Sequence, residues 1–168
     1  MTDRTEDIPT KGKVLLPEIV EDVPEPMLSP EETALVNDTV SLINRTISAK
    51  ALEAALIIGD HILTNYFNND IAAATSKDSN KPVSFNMLCE HLELNVSRAK
   101  LVNMVKVAAQ ERFLGTMTIA LDDLSYSHRL KLTRLPNDEN KIEMVRQCID
   151  NDLTISQLEY RLQVKIMA

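Results

Sequence analysis

The chain contains no tryptophan, and aromatic residues make up only 4% of its 168 residues. A core without large rings has to be assembled from leucine, isoleucine, valine, methionine and alanine. Glycine occurs only three times, which leaves few left-handed positions for the tight turns of a many-stranded sheet. No apolar run approaches the ~20 residues needed to span a bilayer. The opening MTDRTEDIPT is too polar and acidic for a secretory leader. These absences point to packed helices in a cytoplasmic protein. The two cysteines, Cys89 and Cys148, each fall on the apolar face of an expected helix, so buried reduced thiols are preferred over a disulfide.

Catalytic and metal signatures are missing too. His61 and His91 have no histidine or cysteine four residues away, which argues against a zinc site. There is no glycine-rich loop to cradle phosphates and no serine elbow. His128 stands beside Ser125 and Ser127, but no carboxylate is placed to orient it, so a capping or packing role is preferred over a general base. No catalytic residue, metal or cofactor is expected, and the chain is not read as an enzyme.

Charge is unevenly spread. The net charge is −7, which disfavours indiscriminate binding to nucleic acid. Residues 1–30 carry seven acids against three bases, a net of −4. Residues 98–134 carry seven bases against three acids, a net of +4, so the middle of an acidic chain is locally basic.

Residues 1–28 hold Pro9, Pro17, Pro24 and Pro26 among acidic residues, which forbids regular helix and leaves apolar patches too small to fold alone. This stretch is read as a disordered arm, either a solubilising tail or, through Val14–Val20, a motif for a protein partner. Folding is expected to begin at Ser29-Pro30-Glu31-Glu32, a capping box with proline at the first helical position. Leu35, Val36, Val40, Leu42, Ile43 and Ile47 form an apolar stripe. Ser48 either caps a second helix or lies within one long helix whose stripe continues through Ala51, Leu52, Ala55, Leu56, Ile58, Ile62, Leu63 and Phe67. Residues 29–70 are thus amphipathic helices suited to dimerisation, and 71–83 read as a mobile loop. Further helices are expected at Ser125–Leu135, Asp138–Asn151 and Thr154–Met167. MTIAL at 117–121 is the only strand candidate and would have nothing to pair with.

The informative segment is Ser84–Gln110. Phe85, Leu88, Cys89 and Leu92 give a short helix one apolar face, Glu93–Val96 form a turn, and Ser97 caps a second helix with Leu101, Met104, Val105 and Ala108 inward. This pattern fits a helix-turn-helix, with Cys89 at the close approach. Opposite the core stand Ala99, Asn103, Lys106 and Gln110, flanked by Arg98 and Lys100. Asparagine can pair with adenine and lysine with guanine edges, while Ser97, Arg98 and Lys100 suit phosphates. Arg129 and Lys131, with Arg134, would add phosphate contacts. The competing reading is a helical hairpin with a solvated outer face.

Three patterns occur in order: Ser97-Arg98-Ala99-Lys100-Leu101-Val102-Asn103-Met104-Val105-Lys106-Val107, then Leu124-Ser125-Tyr126-Ser127-His128-Arg129, then Leu153-Thr154-Ile155-Ser156-Gln157-Leu158-Glu159. Together they make residues 84–162 resemble the helix-turn-helix domain of ParB/KorB-type partition proteins. The two helical segments before Ser84 are also similar to the helical N-terminal region of DUF1016-type bacterial proteins. Caps, periodicity and composition give an all-α fold behind a disordered acidic arm, and the first resemblance implies that 84–168 is a helix-turn-helix domain of a bacterial or phage-type protein that binds double-stranded DNA sequence-specifically, in transcription or segregation. A helix-turn-helix of this size rarely binds usefully as a monomer, so a homodimer is expected. The alternative is a non-catalytic adaptor that keeps this fold and binds protein instead. No membrane partner is expected.

Overall fold

A computed structural model describes residues 29–168; the expected arm at 1–28 lies outside the described residues. The described chain is all-helical, with no strand. Helix α1 runs unbroken from Pro30 to Tyr66, α2 from Ile71 to Thr75, and α3 from Val83 to Glu90. Helix α4 spans Arg98–Gly115, α5 Tyr126–Leu132, α6 Glu139–Asp150 and α7 Ile155–Met167. None is long and apolar enough to cross a membrane.

Local chemistry sets most of the starts. The Ser29 hydroxyl accepts from the Glu32 N–H at 3.1 Å, and the Glu32 carboxylate accepts from the Ser29 N–H at 2.8 Å. Thr154 and Gln157 form the same reciprocal box at α7. Ser97, Ser125 and Asp138 cap α4, α5 and α6. α1 ends where Asn68 and Asn69 adopt left-handed backbone (φ 51° and 63°), a conformation asparagine tolerates better than most residues.

Packing is organised around α4. On one side Ile62 and Leu63 of α1, with Phe67 just past its end, share a core with Phe85, Leu101, Val105 and Ala108. On the other, Leu114 joins Leu124, Leu132, Ile142, Val145, Cys148, Leu158 and Leu162. Ala55, Met104 and Val107 lie between, against Tyr126 and Leu130. Where α1 crosses α4, Gly59 leaves no room for a side chain: a β-carbon there would meet the Ala108 β-carbon at 2.6 Å and collide with the Met104 carbonyl. Arg112 locks the crossing by donating to Asp60 at 2.8 Å, Asn69 at 2.7 Å and Thr64 at 3.3 Å.

Of the two readings of Ser48, the structure has the single long helix; the Ser48 hydroxyl accepts from the Tyr126 N–H at 3.0 Å and ties α1 to α5. Two expectations change. The stretch expected as loop begins with α2, because Asp70 caps it by accepting from the Ala73 N–H at 3.0 Å. Leu92, expected inward, is fully exposed because α3 stops at Glu90. The C-terminal half of α1 is integral to the core around α4. Only residues 30–47 of α1 stand wholly exposed. Both cysteines are free thiols. Burial raises Cys148 to about 11 against a partial offset from Arg161. Burial also raises Cys89, half-buried, with Arg98 opposing.

Candidate nucleic-acid interface

The face expected to read DNA is reduced to the start of α4. Ser97, Arg98, Ala99 and Lys100 are exposed, and Asn103 and Lys106 are half-buried along one edge. The Ser97 oxygen accepts from the Lys100 N–H at 3.2 Å, which leaves its own hydrogen free to donate outward. Arg98 is preset. Its guanidinium lies over the Phe85 ring, 5.5 Å from the centroid, and donates to the Asn86 amide oxygen at 2.9 Å.

Two expected contacts are corrected. Gln110 is 0% exposed and donates to the Arg129 carbonyl at 2.9 Å, while its Oε1 has no partner. The helical wheel assigned it outward on the premise that α4 has one wet side. In fact α1 and α5 flank the second half of the helix, and its middle turns are buried nearly all round. Arg129 is buried as well. It pairs with Glu111 and donates to the carbonyls of Leu121 at 2.6 Å and Leu124 at 3.1 Å, so it braces the 116–125 linker instead of meeting a phosphate. Lys131 is half-buried and shares Glu159 with Arg134, at 3.2 and 4.0 Å. His128 bonds the Leu153 carbonyl through Nε2 and Ser125 through Nδ1, both at 2.7 Å, in agreement with a capping and packing role. Among the described residues no cluster of histidine, cysteine, aspartate or glutamate could hold a metal.

The structure also assembles cations that sequence reading left apart. A cleft of about 600 Å³ opens beside Lys106 and is lined by Lys77, Arg134 and Lys141 together with Thr75, Thr133 and Asn137. No carboxylate lines it; Glu159, paired with Lys131 at 3.2 Å, lies 4.0 Å from Arg134. Lys81 links the cleft to the start of α4. Its ammonium donates to the Ala73 and Ser76 carbonyls at 2.9 and 2.8 Å, at the C-terminal end of α2. Burial lowers its pKa, Lys106 and Arg98 lower it further, and Asp78 opposes. One cationic surface therefore runs from Arg98 through Lys81 and Lys106 to Arg134.

Lys141 is the least ordinary member. It is only 2% exposed, and its ammonium donates to the Asn137 amide oxygen at 2.7 Å. Burial lowers its pKa to about 8, with partial relief from Asp138. A cation in the first turn of a helix is unfavourably placed against the helix dipole, which was the one hint available in the sequence. Lys77 and Lys81 gave no hint, since they fall in a segment without periodicity. Because the native value of Lys141 lies below the ordinary 10.5, the unfolded chain binds more protons between about pH 8 and 10.5. Stability should therefore rise with pH across that window and lose this rise in Lys141→Met. Thermal melts on both sides of about pH 8 check it.

Compared with models of known families, with curated proteins and with solved structures, the chain matches none.

Proposed function

We propose that the chain is a sequence-specific DNA-binding protein in which α3, the segment 91–97 and α4 work as a helix-turn-helix. The observation that carries this reading is the cationic surface from Arg98 to the Lys106 cleft, in a chain whose net charge is −7. A surface that gathers Lys77, Lys81, Arg98, Lys106 and Arg134 against the overall charge suits a polyanion. The exposed turn Ser97–Lys100 would enter the major groove, since the N-terminal residues of a recognition helix contact base edges. Asn103 is the candidate base reader. Lys106, which opens into the cleft, is assigned to phosphate together with Lys77 and Arg134. The resemblance to the ParB/KorB-type helix-turn-helix supports the same reading.

Fluorescence anisotropy with random and selected duplexes at two salt concentrations tests it. Lys106→Ala and Lys100→Ala should each weaken binding to every sequence and lower the salt slope by about one unit. Asn103→Ala should instead relax preference at one base pair, by about 1–3 kcal/mol. Salt-independent binding, or identical curves for all three variants, overturns the reading. The adaptor reading is favoured by one observation: Val83, Met87 and Leu92 leave an apolar edge along α3 and its turn, 66–100% exposed. Absence of any duplex binding at low salt would select it.

A further inference from the structure

We propose that the cleft beside Lys106 is a binding site for a small organic phosphate, a free molecule with a dianionic phosphate on an apolar body. Lys77, Lys106, Arg134 and Lys141 enter its lining from four separate places: the segment after α2, α4 itself, the turn after α5, and the first turn of α6. No carboxylate joins them. The volume of about 600 Å³ lies within the ~300–1,000 Å³ of small-molecule sites.

Lys141 is the member that duplex binding leaves unexplained. A duplex lying across the surface can meet Lys77 and Arg134, which are exposed, but Lys141 is 2% exposed and lies beyond the reach of a phosphate backbone. Only a molecule that enters the cleft can approach it. Its ammonium carries three donors, and among the described residues it makes one hydrogen bond, to the Asn137 amide oxygen at 2.7 Å.

Buried charges are ordinarily paired, because desolvation of a lone ion is costly. Lys141 has no such partner within the cleft. Asp138 offsets the burial in part, but its carboxylate is engaged in capping α6, where it accepts from the Asn140 and Lys141 N–H groups. Burial still holds the amine down to about 8, which leaves it mainly charged at neutral pH. A phosphate in the cleft supplies the missing counter-charge to Lys141 and to the three other cations together.

The remaining lining separates an anionic end from a body. Because the Asn137 oxygen is taken by Lys141, its amide NH2 is left to donate. The Thr75 and Thr133 hydroxyls already donate to the Ile71 and Leu130 carbonyls, at 2.8 and 2.6 Å, so the cations and Asn137 supply the donors for the phosphate. Leu135, Pro136 and Ile166 add apolar surface, which a bare inorganic ion would leave uncovered. The site shares Lys77, Lys106 and Arg134 with the proposed duplex contact but does not rest on DNA binding.

Calorimetric titration of the full chain with phenyl phosphate near neutral pH, without DNA, should give a one-to-one complex with Kd below about 1 mM. Inorganic phosphate, which lacks the body, and benzenesulfonate, which carries a single charge, should each bind about tenfold more weakly or worse. Lys141→Met and Lys106→Ala should each weaken phenyl phosphate by about tenfold or more. Ile166→Asp places a like charge at an exposed position near the end of α7 and should weaken it as much, which keeps the test decisive if Lys141→Met fails to fold. Lys50→Ala removes a cation from α1, outside the cleft, and should leave the affinity unchanged. Weaker binding than this Kd, equal affinity for inorganic phosphate, equal loss in Lys50→Ala, or unchanged binding in Lys106→Ala and Ile166→Asp overturns the proposal. Co-sedimentation with phosphatidic acid vesicles in place of phenyl phosphate binding would give the cleft to a lipid headgroup and overturn it too. The titration contains no DNA, so its failure leaves the proposed function standing, and loss of duplex binding leaves this site standing.

Discussion

Replacing Arg129 with methionine should lower the thermal midpoint by roughly 6–20 °C, the consequence of a cost of about 3–5 kcal/mol for breaking a buried ion pair. The guanidinium holds three groups: the Glu111 carboxylate, whose side chain is itself only 17% exposed, and the carbonyls of Leu121 and Leu124. Methionine fills much of the volume but leaves a carboxylate and two carbonyls without a donor. Stranding buried acceptors costs more than the original bonds contribute. The double variant Glu111→Leu/Arg129→Met should recover part of the loss, because removing both charges together avoids the stranded carboxylate. Duplex affinity measured well below the melt should be unchanged in Arg129→Met. Reduced affinity with an unchanged melt would return Arg129 to the interface.

Gly59→Ala should destabilise the fold by about 3 kcal/mol or more, although alanine is the better helix former by about 1 kcal/mol. The added methyl would sit 2.6 Å from the Ala108 β-carbon and against the Met104 carbonyl, which belongs to the backbone of α4 and cannot swing away. One helix must move, and α4 carries the whole candidate reading turn, so duplex affinity should fall along with stability. Gly115→Ala is the control. Nothing lies within 4 Å of a β-carbon at the end of α4, and there the same substitution should be neutral or stabilise by up to about 1 kcal/mol. Equal melts for the two variants would show that the crossing is looser than described.

These two residues mark the boundary between what could be read in advance and what could not. The helix starts at Ser29, Ser97, Ser125, Asp138 and Thr154 were legible because each cap is made with a residue two or three positions away. The inward set Leu101, Met104, Val105 and Ala108 was legible from its period, and all four are buried. Gln110 and Arg129 were misplaced because the groups that bury and bond them come from elsewhere. Gln110 bonds a carbonyl 19 residues on, and Arg129 pairs with a residue 18 positions back. Nothing in their local sequence separates a buried polar residue from an exposed one.

The sequence by itself determined the all-helical character of residues 29–168, most of their helix boundaries, and a basic middle within an acidic whole, because caps, periodicity and charge counts depend on residues a few positions apart. Tertiary structure decided that α4 is wet only along its first turn and one edge, and that α1 spends its C-terminal half on the core. It also decided that Lys77, Lys106, Arg134 and Lys141 line one cleft. Each of those outcomes depends on which side of a helix another helix comes to cover, and that is fixed by the packing of α1 and α5 around α4.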